Sequence, residues 1–287
     1  MAWQTSRFLI DLSKPKVMGI VNVTPDSFSD GGQFQKTSAA IGRCERLIQD
    51  GADILDLGGE SSRPGSVPVS LEEELARVLP LVREAVKLGV PLSIDTYKPP
   101  VMQAVLDLGA DIINDIWALR QPGADDSHDA MQVVASHPNC GVCLMHMHGE
   151  PRTMQLSPMQ GDVVEQVQQF FGRRVRALRQ LGVAADRIVI DPGIGFGKTA
   201  AQNFALLARQ QALLELGYPL LAGWSRKSSL AAVCGTSLGS VATLDAKERL
   251  VPSVVAALLA VQRGASIVRV HDVAETVQAL QVLAAIR

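Results

Sequence analysis

A chain of 287 residues, 47% apolar and 20% charged, has material for one large core, at a length that α/β barrels commonly reach as a single domain. A net charge of −2 with five His leaves no electrostatic footprint for nucleic acid, and the basic run at 173–179 (RRVRALR) keeps Val175 and Leu178 at helical spacing, as a solvated helix face does. No apolar signal core opens the chain, its most apolar helical segment (251–264) is too short to span a bilayer, and four Cys make no disulfide framework, so a reducing cytoplasm is the expected setting.

In chain order, an extra apolar run in FLIDLSKPKVMGIV precedes the first long strand and suggests a short hairpin plugging the bottom of a barrel. A strand is then predicted at 17–21, ending at Asn22, with TPDSFSDGG leading to a helix over 37–50. The strand at 53–57 contains Asp56 and runs through GGESSRPG to a helix over 71–88. The strand at 91–94 ends in Asp95 before a helix over 99–108, and that at 110–114 ends in Asn114 and Asp115 before a helix over 127–136. The strand at 141–145 is followed by HMHGEPRTMQ and a helix over 161–181, and that at 187–190 by DPGIGFGK and a helix over 201–216. The strand at 219–222 leads through GWSRKSS to helices over 227–233 and 245–263; the last, at 266–270, leads past Arg269 and His271 to a helix over 273–286.

Alternation of this kind implies parallel strands joined by right-handed crossovers, and near-continuous apolar strands imply burial on both faces. Eight such units without a linker point to an α/β fold with one domain over 1–287, an eight-stranded (β/α)8 TIM barrel with a short N-terminal β-hairpin. The polar residues then gather at the carboxyl ends of the strands, the face that carries the active site in such barrels. Arg63, Lys198, Arg226, Lys227, Arg269 and His271 could reach one cavity there, as a phosphate or carboxylate site requires. Asp95, Asn114 and Asp191 could read the donors of a flat polar ring, and the Asn22 oxygen suits Mg²⁺ shared with phosphate oxygens.

Several motifs fail on inspection. DPGIGFGKT has Pro192 where a phosphate loop needs its first Gly; what survives is a Gly-rich turn where a ligand could approach the backbone closely. GWSRK lacks the last Gly of a nucleophile elbow, which argues against Ser225 as a nucleophile. His137, Cys140, Cys143 and His146 have zinc-like spacing, but a strand over 141–145 turns Cys140 and Cys143 to opposite faces.

Taken together, GIVNVTPDSFSDGG (19–32), DLGGESSRPG (56–65), SIDT (93–96), INDI (113–116), MHMHGEPRTMQ (145–155), DPGIGFGKT (191–199), GWSRKS (223–228) and RVHDV (269–273) closely resemble the dihydropteroate synthases, pterin-binding barrel enzymes of folate biosynthesis, along essentially the whole chain. The resemblance implies a transferase that condenses 4-aminobenzoate with 6-hydroxymethyl-7,8-dihydropterin diphosphate. By the same resemblance Asp95, Asn114, Asp191 and Lys227 hold the pterin, with Met145, Gly195, Phe196 and Gly223 close to its ring. Asn22, Arg269 and His271 hold the diphosphate, Asn22 through Mg²⁺, while Phe28, Ser62, Arg63, Pro64, Arg226 and Ser228 lie near the aminobenzoate. Asn22, Arg63, Asp95, Lys227, Arg269 and His271 form the catalytic set so implied. Ser62 stands where the family usually has Thr; both offer a hydroxyl, so the change is expected to affect packing or sulfonamide sensitivity at most. Sulfonamide inhibition and a homodimer are further expectations.

A methyltetrahydrofolate methyltransferase would share the pterin grip but would have no use for Asn22, Arg269 and His271 around a diphosphate. A silent folate-binding barrel should have lost loop or anion residues, and a Schiff-base aldolase would want its Lys within a strand, whereas Lys198 and Lys227 lie beyond one.

Overall fold

The computed structural model describes residues 1–23, 33–61, 65–120, 129–234 and 244–286, with only the backbone described at 33–36. Lys16–Asn22 (β3), Ile54–Gly58 (β4), Leu92–Asp95 (β5), Ile112–Asp115 (β6), Gly141–Met145 (β7), Ile188–Asp191 (β8), Leu221–Ala222 (β9) and Ile267–Val270 (β10) form one sheet in the order β8-β7-β6-β5-β4-β3-β10-β9, parallel throughout. A parallel bridge between Ile190 and Leu220 joins the two ends and closes the barrel. Around it run Gln33–Gln49 (α1), Leu71–Ala85 (α2), Pro99–Asp107 (α3), Ala130–Ser136 (α4), Val163–Gln180 (α5), Ala200–Ala208 (α6), Gln211–Leu214 (α7), Ser228–Cys234 (α8), Leu250–Gln262 (α9) and Val273–Ala284 (α10).

The predicted (β/α)8 alternation is therefore present; element ends differ at several places, the helix expected over 245–263 beginning only at Leu250, and two of the differences have a visible cause. The helix expected over 201–216 breaks into α6 and α7, because the Gln210 amide turns inward to donate to the carbonyls of Ala260 and Arg263 at 2.9 and 3.0 Å. The helix expected over 71–88 ends at Ala85 and finishes as a 3₁₀ turn, Val86–Leu88, closed by Gly89 in the left-handed region.

Strand alternation separates two cores. Outward residues such as Val17, Leu55, Ile94, Ile113, Val142, Ile190 and Val268 pack under the helices. Inward residues Met18, Ile54, Ile112, Cys143, Val189, Leu221 and Ile267 fill the lower barrel. Ala2–Gln4 (β1) and Leu9–Asp11 (β2) pair antiparallel as the expected hairpin, and Trp3, Ile10 and Leu12 join that lower core. Trp3 is fully buried and donates its indole N–H to the Arg187 carbonyl at 2.9 Å. Arg7 clamps the hairpin with a bidentate pair to Asp111 at the foot of β6, at 3.1 and 2.6 Å. No helix among the described residues is long and apolar enough to cross a membrane.

Candidate active site

Strand register assembles the site. Asn22, Gly58, Asp95, Asn114, Cys143 and Val189 are successive partners across six neighbouring strands, so they lie in one row of the barrel wall. The row below runs Ile20, Asp56, Ser93, Ile112, Gly141, and the pair Met145–Asp191 tops the far side. Positions two apart on a strand share a face, so the apolar lower barrel gives way upward to Asp56, Asp95, Asn114 and Asp191.

Arg269 is the centre of this layer. Its Nε donates to Asp56 at 2.6 Å and its Nη2 to Asp95 at 2.8 Å. Asp56 also accepts from Ser93 at 2.6 Å and from the Asn114 amide at 3.3 Å. Burial pushes the Asp95 carboxyl up to about 7 against the pull of Arg269, with Asp56, Glu74 and Asp115 adding to the rise. Burial works against the Arg269 charge, yet Asp56 and Asp95 carry its pKa above the ordinary value.

Asp191 is raised by burial, opposed by the Gly193 N–H bonded to its Oδ1 at 2.7 Å and by the charges of Lys227, Arg269 and Lys198. A Cβ placed on Gly223 would meet Asp191 Oδ2 at 3.8 Å, and one on Gly195 would meet Lys227 Cδ at 3.3 Å. Lys227 sits 4.3 Å above the centre of the Phe196 ring. Phe196 and Met145 belong to a small apolar cluster at the mouth with Ile116, Met147 and Met154. The predicted pterin set of Asp95, Asn114, Met145, Asp191, Gly195, Phe196, Gly223 and Lys227 thus gathers at the carboxyl face.

Asn22 ends β3 beside Gly58, whose added Cβ would lie 3.8 Å from Asn22 Oδ1. His271 follows β10, its Nδ1 2.9 Å from the Ser225 hydroxyl. Ser228 opens α8. Arg226 adopts a left-handed φ of 59° and pairs with Asp272 at 2.5 and 3.1 Å, while its own N–H donates to Ser253. Phe28, Ser62, Arg63 and Pro64 lie outside the described residues.

Lys198 does not reach the mouth. It is buried, and its ammonium donates to the carbonyls of His146, Gly193 and Phe196 at 3.2, 2.9 and 3.1 Å, with burial drawing its pKa down to about 7. The Gly-rich turn serves the same packing. An added Cβ at Gly193 would fall 1.9 Å from the His146 carbonyl oxygen, and one at Gly197 2.1 Å from that of His148. The close approach required at these two glycines is to the loop after β7 and not to a ligand. Cys140 accepts from Arg187 outside the barrel whereas Cys143 points within, which separates the zinc-like pair as the strand pattern requires.

Three features escaped the sequence reading. Asp56 holds Asn114 and Arg269 in place; its signal was a carboxylate at an inward strand position. Ile116, Met147 and Met154 complete the apolar shelf; they lie within INDI and MHMHGEPRTMQ, but the sequence reading gave them no role. A cavity of about 550 Å³ opens beside Asp95, lined by Glu60, Glu74, Tyr97, Trp117 and Arg120 among others. Its acidic wall is held by Lys98, which donates to Glu60 and Glu74 at 2.5 Å each, with the Tyr97 hydroxyl donating to Glu60 and Thr96 to Glu74.

This geometry offers acids and an amide to ring donors and a cation–aromatic pair to a flat ring, with Arg269 held between two of the acids and Asn22 and His271 at the ends of the neighbouring strands β3 and β10. Residues 18–271 match the family model of pterin binding enzymes. The chain is 47% identical over 285 residues to the dihydropteroate synthase of Neisseria meningitidis serogroup B, spanning 98% of this chain and 95% of that one. Its fold is similar to the crystal structure of Burkholderia cenocepacia dihydropteroate synthase complexed with 7,8-dihydropteroate, at 51% identity and a TM-score of 0.87, covering 100% of this chain and 96% of that one. It is likewise similar to the Yersinia pestis dihydropteroate synthase in a sulfonamide drug complex, at 41% identity and a TM-score of 0.89, covering 100% and 99%. Matched by that family model over residues 18–271 and similar to these relatives along nearly its whole length, the chain belongs to the pterin-binding enzyme family and, within it, to the dihydropteroate synthases.

Proposed function

We propose that this chain condenses 4-aminobenzoate with 6-hydroxymethyl-7,8-dihydropterin diphosphate to give 7,8-dihydropteroate and diphosphate, with diphosphate leaving before the amine attacks. The observation that carries the reading is the register row Asn22–Gly58–Asp95–Asn114, which sets an anion-side oxygen beside an acid–amide pair suited to a heterocycle. The product seen bound to the Burkholderia relative supports it. In this reading Asp95, Asn114, Asp191 and Lys227 orient the pterin over Phe196 and Met145. The C–O bond breaks with its electron pair passing to the diphosphate, where Arg269 and His271 offset the growing charge. The methylene cation left behind is conjugated with the ring, and Asp95 and Asp191 favour positive charge there. The neutral aromatic amine then forms the C–N bond and loses its proton, so neither a strong base nor a covalent intermediate is required.

Mg²⁺ fits the donor set only as a shared ion. Among the described residues no group of three His, Cys, Asp or Glu side chains could cage a metal, so Asn22 would contribute one hard oxygen and phosphate and water the rest. Bound there, the ion would supply charge neutralisation to the leaving oxygens. The reading also carries Phe28, Ser62, Arg63, Pro64, Arg226 and Ser228 as the aminobenzoate side, sulfonamides as competitors for it, and a cytoplasmic homodimer. Exposed Val251 and Val255 on α9 and Val282 on α10 support a second copy packing there.

The test is diphosphate release from the purified protein with both substrates, with each omitted in turn, and with a chelator. Release is expected only with both substrates and Mg²⁺. Equal release without the amine would overturn the condensation, and full turnover in excess chelator would overturn the metal.

A further inference from the structure

Ser225 and His271 meet twice. The His271 backbone N–H donates to the Ser225 hydroxyl oxygen at 3.1 Å, and the same oxygen lies 2.9 Å from His271 Nδ1. Ser225 is buried, at a relative exposure of 7%. A hydroxyl has one proton to give. If Nδ1 were protonated it would donate to the same oxygen, and the hydroxyl proton would lie buried with no acceptor in the described contacts of Ser225. Donation from Ser225 to Nδ1 satisfies both groups at once. It leaves the imidazole proton on Nε2, the nitrogen directed away from this contact. The position of Ser225 is itself held from both sides, by the buried Trp224 packed against Phe204 and by the Arg226 N–H bonded to Ser253 at 2.8 Å. The His271 carbonyl accepts from Arg43 at 3.1 Å, which fixes the other end.

We propose that Ser225 is a positioning residue that locks His271 in its Nε2–H tautomer, so that the ring presents a donor to the leaving diphosphate in place of a lone pair. The proposal rests on the diphosphate role of His271 given above and assigns the means by which a neutral imidazole can fill it. An Nδ1–H tautomer would instead aim a lone pair at anionic oxygen, which repels it. Ser225 is then neither a nucleophile nor a bystander: its hydroxyl acts only through the ring.

Nitrogen NMR of histidine-labelled protein, at a pH where His271 is neutral, reads the tautomer directly and without turnover. The His271 signal is assigned by its loss in His271→Gln. The wild type is expected to carry the proton on Nε2 alone, Ser225→Ala to show a mixture of tautomers, and Ser225→Thr to restore the single form. In steady-state assays Ser225→Ala is expected to lower kcat for diphosphate release about tenfold, the scale of one hydrogen bond, with KM for 4-aminobenzoate unchanged and with recovery in Ser225→Thr. A wild-type proton on Nδ1 overturns the proposal even if Ser225→Ala does not fold, as does a Ser225→Ala variant that keeps the pure Nε2–H form. Absence of diphosphate release from wild type would instead refute the proposed function, and the NMR result would stand apart from it.

Discussion

Asp56 anchors three polar groups of the barrel interior at once: the Ser93 hydroxyl, the Asn114 amide and the Arg269 guanidinium. Asn114 and Arg269 are assigned different parts of the substrate, so one buried carboxylate sets the spacing between the ring grip and the anion side. Removing it leaves a buried guanidinium with Asp95 as its remaining partner and two donors short of an acceptor. Asp56→Ala is expected to cost ~3–5 kcal/mol in urea unfolding, the scale of a broken buried ion pair. In the proposed function Asp191 acts on substrate instead. Its Oδ1 is already held by the Gly193 N–H, and its charge is balanced by Lys227 and Arg269. Asp191→Asn should keep the shape while losing the charged acceptor, and calorimetry should show pterin binding weaker by ~1–3 kcal/mol. Unchanged affinity would remove Asp191 from the pterin grip.

Among the elements, the N-terminal hairpin and the turn after β8 divide stability from function. Trp3 packs in the lower barrel with Met18, Ile54 and Ile112, below the polar layer. Trp3→Ala is expected to cost ~3–5 kcal/mol of stability, by the cavity it leaves, with pterin affinity in the folded protein unchanged by calorimetry. The turn 193–198 couples the two properties, since Lys198 ties it to the loop after β7 while its Gly195 and Phe196 face Lys227. Much at this scale was legible beforehand. Strands ending in Asn22, Asp95 and Asn114 follow from apolar runs stopped by polar residues, because a wall buried on both faces leaves little other use for such residues. The hairpin followed from an apolar run with no barrel strand to supply. What could not be read depended in part on partners distant in sequence. Lys198 is turned inward by carbonyls of its own turn, Gly193 and Phe196, together with that of His146, 52 residues away, and the break after α6 is set by the carbonyls of Ala260 and Arg263. Charge and position after a strand end put Lys198 among the cations of the mouth; geometry sends its ammonium into backbone carbonyls.

At the scale of the whole molecule, closing the sheet into a barrel confines Asp56, Asp95, Asn114 and Asp191 to one mouth, and that confinement makes binding depend on pH. Burial raises Asp95 to about 7, with Asp56, Glu74 and Asp115 adding to the rise and Arg269 resisting it. An acid raised in this way holds its proton more tightly in the folded chain than in water, so the group favours the fold at low pH and this contribution fades as pH climbs through 7. Ligand binding has the opposite sign. A pterin that donates to Asp95 needs the carboxylate, so below about 7 a proton must leave as it binds, and affinity should fall by up to tenfold per pH unit. Above that value the dependence should flatten, since Asp95 is already ionised. The measurement uses 6-hydroxymethyl-7,8-dihydropterin without its diphosphate, which removes phosphate titration from the balance. Calorimetry in two buffers of different ionisation heat should register proton release near pH 6 and little near pH 8. Proton uptake at the lower pH, or an affinity flat across the range, would mean that Asp95 meets the ring as a neutral acid. The ring would then have to present an acceptor at that position, and the polarity assigned to this side of the mouth would reverse.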